Sequence, residues 1–398
     1  MRPPIQLAYL ICFSILLEKC ICKSEHCFSL HTRSDQVLSI TVSTQEHVDT
    51  VQNLTSHNET VLWQPASPSH ITTNSEVHLY IQSTSVEMLL ENTPALIEMQ
   101  TKNDTSDPRS GGVFYERYHS LEDIYYWINK TKQDHSDMVK VILIGSSSEK
   151  RPLYVLKLSG RRDEVKRAMW IDCGIHAREW IAPAFCMWFV NYAIAFYNQN
   201  TEITEILNNM DVYILTVMNP DGYKYTWTTD RMWRKNRSTN KDSGASDNPC
   251  DATYCGEYPE SEPETQAVAR FLRSHKDTVK LYLTIHSYSQ MLLFPYSCSY
   301  DEIPNHNELL ELVKEASAKI RRYYRNNYKY GPDLAPGGSD DWAYKLGIKY
   351  SFTFELQDRG RYGFLLPPSF IPQACNEALL ASKIIALHVI RKLNEELP

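Results

Sequence analysis

Residues 169–180 read MWIDCGIHAREW, an apolar run that passes directly into a turn with charged side chains. The apolar part, residues 169–173, is typical of a buried strand. Active sites of α/β proteins gather where such strands end. His176 and Glu179 in the turn therefore indicate a candidate site at the edge of a sheet.

His176 and Glu179 are three residues apart, so in a turn their side chains can converge on one ion. Zinc binds imidazole nitrogen and carboxylate oxygen, and a catalytic zinc site takes three protein ligands and keeps one position open. His286 is the candidate for the third ligand, because it follows a predicted strand at residues 281–285. An H-x-x-E pair alone is common by chance, and a single strand-end histidine is more often structural. The full string with a histidine 107 residues after Glu179 is far more specific.

Around this turn, from about residue 114 onward, apolar strands alternate with helical segments. Strands are predicted at residues 153–158, 169–173, 212–217, 281–285 and 350–356, and long helices at 182–197 and 370–393. Near-continuous apolar strands that alternate with helices are typical of a sheet covered on both faces. We therefore predict an α/β domain whose mixed, largely parallel sheet is flanked by helices.

A smaller domain is predicted before it, within residues 36–101. Its pattern is β-α-β-β-α-β, with segments at 37–42, 46–56, 60–64, 77–81, 86–90 and 95–99. This order indicates a small ferredoxin-like α+β domain.

A polar break at residues 101–112 separates the two domains and contains Arg109. Such a segment has few apolar anchors and is expected to be exposed. Arg109 is then a natural cleavage site for a trypsin-like protease, although a plain linker would have the same composition. A small domain, a cleavable linker and an enzyme-like domain together favour a zymogen.

The first residues indicate secretion. An apolar run of 13 residues, 5–17, follows Arg2, and it is too short to span a membrane but suits a signal peptide. Ten cysteines agree with an oxidising compartment, and so do N-x-S/T sequons at Asn53, Asn58, Asn103, Asn129 and Asn236. We predict a signal peptide at 1–24, an activation propeptide at 25–109 and an enzyme domain at 110–398. Net charge is −7 without a long basic run, which disfavours nucleic-acid binding.

From about Tyr118 to the C-terminus the sequence resembles the funnel zinc metallocarboxypeptidases of the A/B family, which remove single residues from peptide C-termini. Besides the 174–180 string, the resemblance rests on residues 233–235 (WRK), 336–338 (PGG) and 348–367. It implies one Zn²⁺ per chain and, as ligands, His176, Glu179 and His286. Partners would be an activating trypsin-like protease and peptide or protein C-termini ending in Lys or Arg.

The resemblance also implies roles for further residues. Glu355 matches the general base, and Arg234 matches the arginine that stabilises the oxyanion of the tetrahedral intermediate. Arg178 matches an arginine that helps bind substrate, and Asp340 matches the floor of a specificity pocket that accepts Lys or Arg. Cys173 and Cys186 match a family disulfide.

The sequence departs from the family pattern in two segments. Only eleven residues lie between Ser238 and Cys250, where the family has a longer segment with a D-x-N-R-N string that grips the terminal carboxylate. Asp333 stands where the family has a tyrosine that closes over the substrate. A smaller change is Gln357, where the family commonly has arginine.

Three functions are consistent with these residues. The first is a secreted zymogen of a type-B carboxypeptidase, with weak or altered activity because the clamp segment is missing. The second is a zinc-binding protein that holds C-terminal lysines without cleaving them. The third is a structural secreted glycoprotein without zinc.

Overall fold

The structure is a computed structural model that describes residues 35–42, 44–54, 60–64, 71–73, 75–82, 93–101, 112–160, 166–238, 260–296, 303–332 and 338–395. Several predicted features lie outside these ranges. They are the signal peptide at 1–24, the helix at 86–90, Arg109, Asn58, Asn103 and Asp333. Cys250, Cys255 and Cys298, whose pairing the sequence does not determine, lie outside these ranges as well.

The chain divides into two compact units, Met1–Pro94 and Ala95–Pro398. The first contains strand β1 (Asp35–Thr41), helix α1 (Gln45–Leu54), strand β2 (Thr60–Gln64) and strand β3 (Glu76–Gln82). Among the described residues these strands form an antiparallel sheet in the order β1-β3-β2. The α1 helix covers it, and its small core consists of Val42, Val48, Val51, Leu62, Ile71, Val77 and Leu79.

The strand predicted at residues 95–99 is wrong, because this segment is part of helix α2 (Thr93–Thr101). Leu96 and Gln100 are buried one helical turn apart, whereas Glu98 and Met99 between them are exposed. Pro94 also lies in the first turn, where proline suits a helix. A five-residue apolar run is compatible with strand or helix, and periodicity alone does not distinguish them.

The second unit continues with an alternation of helices and strands. Its N-terminal half comprises α3 (Gly112–Tyr115), α4 (Leu121–Asp134), β4 (Val139–Ser146), β5 (Pro152–Leu158), β6 (Arg167–Cys173), α5 (Ile181–Phe196), α6 (Thr201–Asn209), β7 (Met210–Leu215) and α7 (Pro220–Thr228). Its C-terminal half comprises α8 (Pro263–Ser274), β8 (Val279–Ser287), β9 (Met291–Phe294), α9 (His306–Tyr324), β10 (Lys329–Pro332), α10 (Ser339–Leu346), β11 (Tyr350–Leu356) and α11 (Ile371–Glu395).

The strands of this unit form one mixed sheet, which has eight strands within the described ranges, in the order β10-β9-β11-β8-β6-β7-β5-β4. The central strands β11, β8, β6 and β7 run parallel. Antiparallel pairs flank them, β5 with β7 and β9 with β11. The predicted mixed α/β sheet is confirmed, and its parallel centre brings the carboxyl ends of β6, β8 and β11 to one edge.

Helices cover both faces of the sheet because its central strands are apolar on both sides. In β6, Met169 and Ile171 pack into the larger core with α5 and α11, while Ala168 and Trp170 pack into a second core with α8. Alternate strand residues point to opposite faces, so a strand buried on both faces reads as a continuous apolar run. Among the described residues, no helix combines the length and apolar character that a membrane crossing requires.

Candidate active site

The chain turns sharply after β6 and carries the first site residues on that turn. Gly174 has φ +69, and a Cβ there would lie 3.0 Å from Cγ of Pro183. Glycine suits both the positive φ and the close approach. The turn is held by hydrogen bonds from Met218 N to Cys173 O (2.9 Å) and from Asn219 N to Gly174 O (3.0 Å).

A disulfide bond links the strand before this turn to the helix after it. Cys173, the last residue of β6, is bonded to Cys186 in α5, with a Cα–Cα distance of 6.4 Å. The resemblance implies this pairing. Cys375, whose pairing the sequence left open, is a buried free thiol in α11.

His176, Glu179 and His286 come together at the edge of the sheet. Their potential ligand atoms all lie within 4.8 Å of one another. Nδ1 of His176 is 2.7 Å from Oε1 of Glu179 and 3.1 Å from Nδ1 of His286. Two imidazole nitrogens and one carboxylate are the donor set of catalytic zinc sites, so these residues fit a zinc ion.

Burial and mutual contacts set the charge of this cluster. Burial, aided by the charge of Arg234, lowers the pKa of His176 to about 3. Burial would raise the pKa of Glu179, but its interactions with His176 and His286 outweigh burial and lower that pKa. For His286, burial is outweighed by the hydrogen bond to Glu179, and its pKa is raised to about 9. Without a metal, the cluster therefore holds an anionic carboxylate beside a protonated His286, which must release that proton when a metal binds.

Glu355 lies on the strand beside His286. In the parallel pairing of β11 with β8, Glu355 is the register partner of His286. Its charge contributes to the raised pKa of His286, so the carboxylate acts on the cluster electrostatically. The predicted general base and the predicted metal ligands thus occupy the same sheet edge.

Two arginines border the cluster. The carbonyl of Arg234 accepts a hydrogen bond from Ala177 N at 2.9 Å, and its charge lowers the pKa of both His176 and Arg178. Arg178 is 2% exposed, and its guanidinium lies 4.2 Å from the ring centroid of Phe364. Burial, then the charge of Arg234, lowers the pKa of Arg178 to about 9, so it stays charged at neutral pH.

Asp340 lies in the first turn of α10 and is fully buried. Asp341 beside it is buried as well. A buried carboxylate is costly unless a positive or hydrogen-bonding partner is present.

Arg231 is a site residue that the sequence reading missed. Its guanidinium lies 3.7 Å from the ring centroid of Trp180, and it donates hydrogen bonds to Arg178 O (2.9 Å) and Phe364 O (2.7 Å). It therefore holds the backbone of the turn against the loop that carries Phe364. In the sequence, the one indication of this role is that Arg231 lies two residues before the WRK string at 233–235.

Gln357, the smaller departure from the family pattern, contacts a buried carboxylate. Its Nε2 donates to Oε2 of Glu377 at 2.8 Å, and Glu377 in α11 is fully buried. Glu377 also accepts hydrogen bonds from neutral donors in Asn326, Tyr328 and Gln373. Among the described residues, the hydrogen-bond donors of Glu377 are therefore all neutral. An arginine at residue 357, which is common in the family, would place a positive charge beside this carboxylate.

The described sequons differ in exposure. Asn129 is exposed on α4, where its Nδ2 donates to Tyr125 O at 3.1 Å. Asn236 is half-buried and donates to the carboxylates of Glu262 and Glu264. Asn53 lies in α1. Glycosylation at Asn53, Asn58, Asn103 and Asn129 stays a prediction.

Comparison with known proteins identifies relatives along nearly the whole chain. Residues 124–381 match the zinc carboxypeptidase family, and residues 38–93 match the carboxypeptidase activation peptide. Carboxypeptidase B2 of Rattus norvegicus is 48% identical over 398 residues, which cover 90% of this chain and 94% of the relative. Carboxypeptidase B2 of Homo sapiens is 44% identical over 408 residues, which cover 93% of this chain and 96% of the relative.

A crystal structure of thrombin activatable fibrinolysis inhibitor has the same fold. It matches with a TM-score of 0.86 and 46% sequence identity, over 90% of this chain and 100% of that one. The family match spans well over half of the 398 residues, and an activation-peptide match precedes it. The chain therefore belongs to the zinc carboxypeptidase family, as a metallocarboxypeptidase that has an activation peptide and uses one zinc ion.

Proposed function

We propose that this chain is the secreted precursor of a carboxypeptidase that releases C-terminal Lys or Arg from peptides. The observation that carries the proposal is the convergence of His176, Glu179 and His286 within 4.8 Å, beside Glu355 on the adjacent strand. The similarity to carboxypeptidase B2 supports the basic specificity.

His176, Glu179 and His286 would hold the zinc ion. When bound, zinc supplies Lewis-acid activation of water and of the scissile carbonyl. Glu355 accepts a proton from the attacking water and passes it to the leaving amine, as a general base and then a general acid. Its half-buried position at the end of β11 places it on the same sheet edge as the proposed ligands.

Two arginines, Arg234 and Arg178, are proposed to interact with the negatively charged groups of the substrate. Arg234 stabilises the oxyanion of the tetrahedral intermediate, since its charge already acts on His176 next to the reacting carbonyl. Loss of one such donor typically costs about 10²–10³ in rate. Arg178 is available to substrate, because its Nε and Nη1 are buried without a hydrogen-bond partner among the described residues.

Asp340 provides the specificity for Lys and Arg. A fully buried carboxylate attracts the ammonium or guanidinium of the terminal side chain through a charge-assisted hydrogen bond. Apolar terminal side chains gain nothing from this charge.

The activation step would be cleavage after Arg109. The match to an activation peptide at residues 38–93 supports a zymogen, and the zinc carboxypeptidase match begins only at residue 124. Cleavage at Arg109 falls between the two, in the polar segment predicted to be exposed. The apolar run at 5–17 supports export of this precursor.

Weak turnover is part of the proposal, because the clamp for the terminal carboxylate is missing. Residues 239–259 contain one cation, Lys241, and no arginine. Loss of a buried arginine partner for a carboxylate costs about 2–5 kcal/mol, or roughly 30- to 4000-fold in rate or affinity. The same gap favours a second candidate function, a zinc protein that binds basic C-termini without cleaving them.

An Asp340→Asn variant tests the specificity. With the Arg109-cleaved protein, we expect kcat/KM for a peptide ending in Arg to fall by about 30-fold or more, while the value for a matched peptide ending in Leu does not fall. Asp341→Asn is the matched control and keeps the preference for Arg. An unchanged Arg-to-Leu ratio in Asp340→Asn would show that another group reads the terminal side chain.

A further inference from the structure

The contacts behind His286 form a continuous chain of hydrogen bonds. Asp172 in β6 and Thr284 in β8 are register partners in the parallel pairing, and each is 1% exposed. Oγ1 of Thr284 donates to Oδ1 of Asp172 at 2.7 Å. The same Oγ1 is 3.1 Å from Nε2 of His286.

The direction of these hydrogen bonds follows from the number of protons. A threonine hydroxyl has one proton, and an ionised carboxylate can only accept. Burial raises the pKa of Asp172, while hydrogen bonds from Thr284, Trp170 and Tyr282 act in the opposite direction and favour the carboxylate. Oδ2 accepts from Nε1 of Trp170 at 2.7 Å, and Oδ1 of the ionised group accepts from Thr284. Thr284 therefore gives its proton to Asp172, and its lone pair accepts the Nε2 proton of His286.

In the neutral form of His286, the form that binds a metal, this arrangement leaves the lone pair on Nδ1. That nitrogen faces the site, 3.1 Å from Nδ1 of His176 and 3.2 Å from Oε2 of Glu179. Histidines that bind metals commonly donate their other ring N–H to such a partner, which sets the tautomer and the ring orientation. For His176 the structure records hydrogen bonds at Nδ1 alone among the described residues.

We propose that Thr284, supported by Asp172, is a positioning residue that presents Nδ1 of His286 to the zinc ion. The inference rests on the zinc ligands of the proposed function. It adds a role for two residues that touch neither substrate nor metal. Thr284 sets both the protonated nitrogen and the rotation of the ring, and Asp172 sets the direction in which Thr284 donates.

A purely structural role makes different predictions. If the hydrogen bonds only satisfied buried polar groups of β6 and β8, their loss would lower stability and leave zinc affinity unchanged in the folded protein. Thr284→Val removes the hydroxyl at nearly constant volume, and Thr284→Ser keeps the hydroxyl and removes a methyl group. The two variants therefore separate hydrogen bonding from packing.

The test is zinc affinity of the full chain, measured by competition with a chromogenic chelator. We expect Thr284→Val to bind zinc about 10- to 100-fold more weakly than the wild type. Thr284→Ser should stay within about threefold of the wild type, because its hydroxyl can make both hydrogen bonds. Equal affinities of folded Thr284→Val and wild type would overturn the proposal, and so would an equal loss in both variants.

A second variant and a spectroscopic readout cover the case in which Thr284→Val does not fold. Asp172→Asn has nearly the same shape, but its amide can donate a hydrogen bond to Thr284. Thr284 would then donate to Nε2 of His286 instead of accepting from it, so this variant too should weaken zinc binding. In ¹⁵N spectra of histidine-labelled protein, we expect a protected Nε2–H of His286 in the wild type and its loss in Asp172→Asn. Unchanged affinity and spectrum would contradict the proposal. If the wild-type protein bound no zinc in the competition assay, the metal site of the proposed function would itself be refuted.

Discussion

At the scale of single residues, Glu355 carries the chemical step in this account. Glu355→Gln keeps the size of the side chain and removes its ability to accept a proton. We expect kcat to fall by about 10²–10⁴, because general base catalysis contributes that much. Zinc content should stay at one ion per chain, since Glu355 is not among the three converging ligand atoms.

The measurement pairs kcat for a peptide ending in Arg with metal analysis of the same sample. Glu311→Gln, at an exposed site on α9, is the control and should have wild-type activity. If Glu355→Gln retained wild-type kcat, another group would have to accept the proton.

His119 gives a pH dependence of stability at the residue scale. Burial, with a smaller effect of Arg117, lowers its pKa to about 4, against the hydrogen bond that its ring donates to Phe114 O at 2.7 Å. The unfolded chain takes up a proton below about pH 6.5, whereas the folded chain does so only near pH 4. The contribution to stability is thus present above pH 6.5 and is lost as pH falls towards 4, by up to about 3 kcal/mol.

Urea unfolding at pH 7 and pH 4.5 tests this dependence. His119→Gln keeps a donor for Phe114 O but has no titrating group, so its free energy of unfolding should fall less between the two pH values than that of the wild type. Equal decreases in both proteins would show that His119 does not contribute.

The candidate metal ligands could be predicted from the sequence because few residue types bind zinc. Two histidines and a glutamate with a zinc-type pattern were found from the string at 174–180 and the strand before His286, and the structure brings all three together. Thr284 and Asp172 were not found, because a threonine and an aspartate inside strands have no distinguishing pattern. Only the register of β6 against β8 makes them neighbours.

At the scale of elements, helix α2 is the segment whose type the sequence reading got wrong and whose contacts matter most. Gln100 donates from Nε2 to Leu366 O at 2.9 Å and to Phe364 O at 3.3 Å, and its Oε1 accepts from Nε of Arg231 at 3.0 Å. These are contacts of a single buried side chain with residues far along the chain. Local propensity at residues 95–99 contains no information about them.

Gln100→Ala should loosen α2. The substitution takes the acceptor of buried Arg231 Nε away and removes one hydrogen bond each from Phe364 O and Leu366 O, at a cost of about 1–3 kcal/mol. We expect amide hydrogen exchange in α2 to become roughly 5- to 150-fold faster, while exchange in α5 stays at its wild-type rate.

Glu98→Ala is the matched control, because Glu98 is exposed on the same helix. Unchanged exchange in Gln100→Ala would mean that these hydrogen bonds do not hold the helix. Faster exchange in both variants would point to helix propensity as the cause.

Strands were the elements that sequence predicted best. The apolar run at 350–356 coincides with β11 (Tyr350–Leu356), and the run at 60–64 coincides with β2 (Thr60–Gln64). A near-continuous apolar run bounded by turns, such as 350–356, is typical of a strand buried on both faces of a sheet. The order of strands in the sheet depends on long-range pairing and had to come from the structure.

At the scale of the whole molecule, the two compact units and the proposed activation site do not share a boundary. The units divide between Pro94 and Ala95, whereas the proposed cleavage follows Arg109. Residues 95–101 fold with the second unit, yet cleavage at Arg109 would place them on the propeptide. The contacts of Gln100 therefore lie on the segment that activation would separate from the enzyme.

The departures from the family pattern also act at this scale. The proposed ligands and Glu355 stand on the sheet edge formed by β6, β8 and β11, and none of them needs the shortened segments. If the proposed centre is complete and its grip on the terminal carboxylate is reduced, we expect low kcat/KM and not an absence of turnover.

The most direct measurement is release of arginine from a small peptide ending in Arg by the Arg109-cleaved protein, with and without a zinc chelator. We predict slow release, roughly 30- to 4000-fold below that of a carboxypeptidase with a complete clamp. The release should stop with chelator and return with added zinc. The uncleaved chain is the control and should release less. No release from protein that holds one zinc ion per chain would contradict the account and favour a binding protein.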